Sequence, residues 1–289
     1  MTYAIGIASA LVASLLFNVG IALQGIEARA APRALGLRLS LLARLLRRPR
    51  WVAGWLLGTL GIAPQVLALA DAPFVVVQPA LATGLLVLLV LGARIFHEHV
   101  GIIDVLGVLA IIGGVALVAV GAPPRLETHR GVAAVVGVVG ALSVCGLAPF
   151  ALRGTRFDTG LLANIASGCG FAASNIATKL LSDDVGHAQY IAAAVWAAVL
   201  VLTGVAATVT AMTAFQRLRA TTVVPVNTAV QTFLPIVLEP LFLRERWTSA
   251  PLGGAPIAIG LVLALVGAIL VTRTRAVSDL AAAAQNGGA

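Results

Sequence analysis

The sequence predicts an all-α integral membrane protein with about nine transmembrane helices in two inverted repeats. Three observations lead there. The 289 residues are 60% apolar and only 10% charged, with a mean hydropathy of +1.03, where an ordinary soluble domain carries about 25% charge. Nine apolar runs of spanning length fill most of the chain. Two pairs of those runs share one spacing of acid and glycine. The composition excludes a soluble globular domain, a disordered chain and a secreted disulfide scaffold.

The runs are 3–26, 51–70, 74–96, 100–120, 131–152, 160–181, 188–212, 221–243 and 252–272. A helix rises about 1.5 Å per residue, so about 20 residues cross a hydrocarbon core of about 30 Å. In lipid every backbone N–H and C=O needs a partner within the protein, which favours helices here. A β-barrel would alternate apolar and polar residues, and stretches such as 85–90 do not. The first run has no basic residue before it and exceeds signal-peptide length, so it reads as a retained span. Cys145 and Cys169 both fall inside spans and read as buried small apolar residues, not as a disulfide.

The net charge of +8 is unevenly placed. Segment 27–50 holds seven arginines, Arg29, Arg33, Arg38, Arg44, Arg47, Arg48 and Arg50, against Glu27, which gives it a net +6. The positive-inside rule puts it in the cytoplasm, with the N-terminus outside and, after nine spans, the C-terminus inside. Fourteen of the 19 basic residues then lie inside. Leucines interleave with arginines over 37–48. That pattern suits either an amphipathic helix on anionic lipid or a solvated basic loop.

The repeat lies in spans 3–4 and 8–9. Nine residues separate Glu98 from Gly107, as they separate Glu245 from Gly254. Six separate Gly107 from Gly113, as they do Gly254 from Gly260. Val77-Gln78-Pro79 matches Val224-Pro225 with a one-residue gap. The copies are five spans apart, so they face opposite ways across the membrane. Inverted repeats are a mark of secondary transporters, whose sites lie near the midplane. Chance similarity in glycine-rich apolar sequence is the plain alternative.

Polar residues within spans indicate where a site could form. Asn164, Ser167, Ser174, Asn175, Thr178 and Lys179 share an arc of about 140° on span 6; Asn227, Thr228, Gln231, Thr232 and Glu239 do so on span 8. Such groups are costly in hydrocarbon unless paired or hydrated. A water-accessible cavity between spans 6 and 8 is expected, lined by Asn164, Ser167, Ser174, Asn175, Thr178, Asn227, Gln231 and Gln78. The alternative is interhelical bonding alone, at about 0.6 kcal/mol per bond. Glu239 and Lys179 are candidates for ion coupling, or snorkel to the interface. Pro64, Pro79, Pro225 and Pro235 each remove a helix hydrogen bond and are candidate hinges, or static kinks. Ala166, Gly170 and Ser174 form a small-residue packing face.

Other motifs carry little. Gly168-Cys169-Gly170 imitates a dinucleotide loop but follows no strand, and His97-Glu98-His99 lacks helical metal-ligand spacing. No catalytic set or phosphate loop is present in the sequence. The expectation is therefore no enzyme, no cofactor, no metal site and no nucleic-acid partner.

The stretch Ala72-Pro73, Val77-Gln78-Pro79, Glu98, Gly107 and Gly113-Gly114 resembles the drug/metabolite transporter superfamily in its EamA-like form. The basic loop after span 1, Pro49-Arg50-Trp51 opening span 2 and Ala122-Pro123 after span 4 look closest to the NIPA-type magnesium transporter branch. The resemblance covers nearly the whole chain and implies alternating-access transport by inverted helix repeats. One departure concerns the ion. In that branch span 2 carries an acid shortly after a glycine, whereas Gly61 here is followed by Ile62, Ala63, Pro64 and Gln65.

The expected organisation is a first repeat over 1–121, a second over 131–272 and a disordered cytoplasmic tail over 273–289. The expected function is secondary transport of a small polar metabolite across the cytoplasmic membrane, with anionic lipid at 27–50 as a partner and a homodimer compatible. Magnesium transport is one alternative, and a non-transporting scaffold using the arginine-rich segment is another.

Overall fold

The computed structural model describes residues 2–72, 74–121, 132–243 and 251–286. Among these the chain is all-helical, with no strand. The helices are α1 (Thr2–Ala30), α2 (Leu39–Leu45), α3 (Pro49–Leu60), α4 (Ile62–Asp71), α5 (Phe74–Ala82), α6 (Gly84–Ile95), α7 (Ile102–Gly121), α8 (Val132–Ala151), α9 (Gly160–Gly186), α10 (Tyr190–Arg217), α11 (Ala220–Leu243) and α12 (Ala255–Asn286). Each apolar run of the sequence falls on one helix or on an abutting pair. Among the described residues five stretches are long and apolar enough to cross a membrane: Ala4–Ala30, Pro49–Ala68, Ile102–Gly121, Tyr190–Arg217 and Leu252–Thr272. Their outward faces are apolar too. Ile191, Leu202 and Leu265 are 86, 71 and 63% exposed, a surface that matches lipid and not water.

Proline explains where helices start and break. Pro49 opens α3 and Pro64 stands in the first turn of α4, where a missing N–H costs nothing. The kink expected at Pro64 is therefore a break at Gly61 between two helices. Pro79 lies inside α5, one turn before the break at Thr83 that separates α5 from α6. Pro225 sits in α11, which continues unbroken past it. Pro235 is also within α11, but its side chain lies outside the described residues. The four alanines at 281–284, the best helix formers, lie in the stretch where α12 runs on to Asn286, through most of the tail expected to be disordered.

Small residues set the helix contacts. A Cβ added at Gly107, Gly114 or Gly121 would meet Gly267 O at 2.9 Å, Gly260 O at 2.6 Å or Ile257 Cγ1 at 2.8 Å. Rising numbers on α7 oppose falling numbers on α12, so the pair is antiparallel. A Cβ at Gly20 would meet Gly54 O at 2.5 Å and one at Gly61 would meet Phe17, so α1 runs antiparallel to α3 and α4. A Cβ at Gly170 would lie 2.9 Å from Ala207 Cβ, so the small-residue face of span 6 packs against α10. Cys145 and Cys169 are free thiols; Cys169 is buried as expected, but Cys145 is exposed on α8.

One end of the bundle gathers the arginines. There Leu41 and Leu45 of α2 pack into a core with Ala28, Trp51, Met212, Phe215 and Val223, and Trp51 Nε1 donates to Met212 Sδ at 3.4 Å. The opposite face of α2 leaves Leu39 and Leu46 exposed among Arg38, Arg44 and Arg47. The seven-residue helix is thus amphipathic, with its buried stripe covered by protein.

Candidate functional site: a polar cavity above an ionic layer

A cavity of about 490 Å³ lies between α1, α3, α6, α10 and α11. Its polar lining is uncharged among the described residues: Asn18 and Gln24 from α1, Thr59 from α3, and Asn227, Thr228, Gln231 and Thr232 from α11. Phe17, Trp55, Phe171 and Phe215 supply aromatic walls. The α11 residues lie within about six positions of one another on one face, which carries their side chains to one side.

Several of these polar groups are partly committed. Asn18 Nδ2 donates to Ser14 O at 2.8 Å, while Ser14 Oγ donates to Leu81 O at 2.5 Å beside the α5–α6 break. A Cβ at Gly84, the first residue of α6, would clash with both side chains. Glycine therefore lets α1 reach the break. Asn227 Nδ2 donates to Ser167 Oγ of α9 at 2.8 Å. Thr59 Oγ1 donates to Trp55 O at 3.0 Å. The heads of Gln24, Thr228, Gln231 and Thr232 make no hydrogen bond to other described residues.

Directly beyond Phe215 the cavity ends in a layer of ion pairs. Glu98, from the turn between α6 and α7, has a side chain only 6% exposed. It accepts from Arg29 Nη2 at 2.5 Å, Ala220 N at 2.6 Å, Thr221 N at 3.0 Å and Thr221 Oγ1 at 2.8 Å. The carboxylate thereby caps the first turn of α11, whose free N–H groups carry partial positive charge. Arg29 also donates to Phe215 O at 3.2 Å and Leu218 O at 2.8 Å, the carbonyl end of α10, and stacks on Phe96. Arg219 approaches Glu98 at 4.0 Å and Asp104 at 3.8 Å, and donates to His99 O. Asp104 is 2% exposed and accepts from Gly101 N at 2.9 Å at the start of α7. Five helix ends, of α1, α6, α7, α10 and α11, are tied in one layer.

A neighbouring pair closes the same end. Arg217 Nη1 donates to Asp158 Oδ1 at 2.5 Å and to Asp158 O at 3.1 Å. That hydrogen bond from the guanidinium holds the Asp158 carboxyl below its usual range, against the opposing effect of burial.

Of the residues expected to line a cavity between spans 6 and 8, Asn227 and Gln231 do so. The other described ones, Asn164, Ser167, Ser174, Asn175 and Thr178, do not. Ser167 is buried against Asn227, and Ser174 Oγ bonds Leu200 O of α10 at 3.5 Å. Asn164 is fully buried and both of its amide atoms lack a partner among the described residues. Asn175 and Thr178 are exposed on α9 and do not line the cavity. The physical reason is that α9 packs directly on α11: a Cβ at Gly168 would sit 2.6 Å from Val230, which leaves no space between them. The facing wall is α1, and α9 contributes only Phe171. The side chains of Gln78, Lys179 and Glu239 lie outside the described residues. Among those described, no group of three His, Cys, Asp or Glu is placed to hold a metal ion.

The sequence pattern does not single out Asn18 and Gln24, because two amides do not make a stripe. They are nonetheless the only side-chain amides in span 1, and that signal was available. The sequence marks Glu98 as part of the repeat, of the family resemblance and of a rejected metal motif, but not as a helix-capping ion-pair partner. Comparison with family models, curated proteins and solved structures gives no match to this chain.

Proposed function

We propose that this chain is a secondary transporter that moves a small polar metabolite across the cytoplasmic membrane by alternating access. The observation that carries the reading is the cavity itself. Amides and hydroxyls without partners among the described residues face a space of about 490 Å³ between helices, next to a layer of ion pairs that ties five helix ends. A static bundle gains nothing from leaving such groups unpaired in an apolar surrounding. An alternating-access carrier needs a solute space and a closure that can be broken.

The accompanying topology is nine spans with the N-terminus outside, in two inverted repeats, as in the drug/metabolite transporter superfamily that the sequence resembles. The α7–α12 pair supports the repeat. Under the sequence spacing, Gly113 corresponds to Gly260, and an antiparallel pair related by a two-fold axis must cross at its own equivalent positions. A Cβ added at Gly114 would lie 2.6 Å from Gly260 O, within one residue of that point, and the similarly tight contacts of Gly267 with Gly107 O and of Gly121 with Ile257 flank it on either side. Opening to the cytoplasm would require α1 to part from α11 at Arg29 and Glu98.

The magnesium alternative is less well supported. Mg²⁺ is held through carboxylates and retained waters, and no carboxylate is among the described lining residues. Both buried acids of the ionic layer already face arginines. The exposed Arg38, Arg44 and Arg47 beside Leu39 and Leu46 favour contact with anionic lipid. Enrichment of phosphatidylglycerol on the purified protein, lost when these arginines become Gln, would test that contact.

Counterflow in proteoliposomes tests the function. Amino acids, nucleobases, amines and Mg²⁺ are offered in turn, with Gln231→Leu as the control. Saturable counterflow of an organic solute, reduced at least tenfold by the substitution, is the expected result. Flux of Mg²⁺ alone, or none of any solute with unchanged labelling of a cysteine placed at Gln231, would count against it.

A further inference from the structure

We infer that the cavity selects net-neutral, flat solutes that carry a hydrogen-bond donor beside an acceptor, as nucleobases and cyclic imides do. The inference rests on the transport reading and names the solute class for the same site. Three features point to it.

The first is charge. Among the described lining residues none ionises. Arg29, on the same helix as the lining residues Asn18 and Gln24, already serves Glu98, Phe215 O and Leu218 O. An ion entering the cavity would lose water and meet no counter-charge, which strongly disfavours it. A neutral solute meets no such barrier.

The second is the shape of the free polar groups. Gln24 and Gln231 come from different helices and each presents a whole amide, with one acceptor oxygen beside donor N–H groups. Asn18 and Asn227 have already spent an N–H, on Ser14 O and Ser167 Oγ, and keep their oxygens as acceptors. A primary amide pairs in two places at once with an edge that offers donor and acceptor side by side. The same complementarity lets Asn and Gln read adenine.

The third is the apolar wall. Aromatic rings from α1, α3, α9 and α10 line the same space, and flat π-faces suit ring solutes. A chain-like zwitterion, although net-neutral, would bring two full charges that meet no counter-charge here and would leave the rings unused.

The test separates binding from flux. Full-length protein in nanodiscs is equilibrated with radiolabelled uracil, adenine and hypoxanthine, and separately with glutamate, lysine and Mg²⁺. At least one neutral ring should bind at least tenfold more tightly than every charged probe. Gln231→Leu and Gln24→Leu should each weaken that binding tenfold or more, while gel-filtration profile and apparent melting temperature stay within the wild-type range. Gln231→Glu should cut neutral binding and admit lysine. Charged probes binding as well as the neutral ones would overturn the inference. So would neutral binding untouched by either Leu variant, or no binding of any neutral ring. A neutral ring that binds without counterflow in liposomes removes the transport reading and leaves the selectivity. Counterflow of charged solutes alone does the reverse.

Discussion

At the residue scale Glu98 joins the sequence distant ends of α1, α6 and α11 through four hydrogen bonds. Its loss should be felt in stability before function is considered. Breaking a fully buried ion pair costs about 3–5 kcal/mol; Arg29 is 27% exposed, so Glu98→Gln should cost about 2–3 kcal/mol. Glu98→Ala should cost more, because the cap on α11 goes as well. Arg29→Met should cost less, since Glu98 keeps three donors. The double variant should lose less than the sum of the singles. Apparent unfolding temperatures in detergent check the order; additive losses would show that the two side chains do not act together. Asp158 gives a pH prediction with a definite sign. Its folded pKa lies below the ordinary 3.8 because Arg217 donates to it. That contribution is fully present above about pH 4 and is lost as pH falls through the lower, folded value. Asp158→Asn should therefore be less stable than the wild type at pH 6, with the gap closing toward pH 3. A gap independent of pH would refute the link. These roles were only partly legible. The sequence marks Glu98 as a repeated acid, but which helix end it caps depends on how α1, α6 and α11 converge, and no local pattern records that.

Elements were more legible than sites because they depend on short-range physics. Apolar runs of spanning length fell on helices, and the small-residue face at Ala166, Gly170 and Ser174 met α10 and α8 as its steric profile allows. The breaks at Gly61 and Thr83 could be read only as prolines nearby. The cavity wall differs from the sequence expectation, in which the two polar stripes face each other across space. In fact Gly168 and Val230 bring α9 and α11 into contact, and the stripe on α9 serves partly to bind α11 through Ser167. Glycine position at α7–α12 yields a sharp prediction. A Cβ at Gly260 would lie 2.7 Å from Gly114 O, a backbone atom that cannot turn aside. Gly260→Ala should cost about 1–3 kcal/mol by overpacking, and Gly260→Val more. Gly137→Ala and Gly140→Ala on α8, where nothing lies within 4 Å, should be neutral or stabilising by up to about 1 kcal/mol. Equal losses at all four would mean that α7 and α12 do not cross there.

For the whole molecule the decisive question is direction across the bilayer, and charge and packing bear on it independently. The arginine-rich segment has its net +6 between the first two apolar runs. The bundle contacts gather the ends of α1, α6 and α10 and the starts of α7, α9 and α11 at that same end: Arg29 meets Glu98 and Leu218 O, and a Cβ at Gly160 would touch Arg217. At the far end a Cβ at Gly6 of α1 would meet Ala72, just past α4, and one at Gly121 of α7 would meet Pro256 of α12. Helices that alternate in this way leave each exposed turn on a side fixed by its neighbours. With Cys145 and Cys169 replaced by Ala, single cysteines at Ser40, Thr155 and Gln189 sample three exposed connections between apolar runs. The nine-span reading, N-terminus outside, puts Ser40 and Thr155 in the cytoplasm and Gln189 outside. A membrane-impermeant maleimide should label Gln189→Cys in intact cells and reach the other two only after permeabilisation. Labelling of all three from outside would reject the orientation. Labelling of Thr155→Cys from outside together with protection of Ser40→Cys would instead require an odd number of spans between them. The ionic layer would then lie at the wrong face to act as a cytoplasmic closure for both halves, and the inverted repeat would lose its geometric basis.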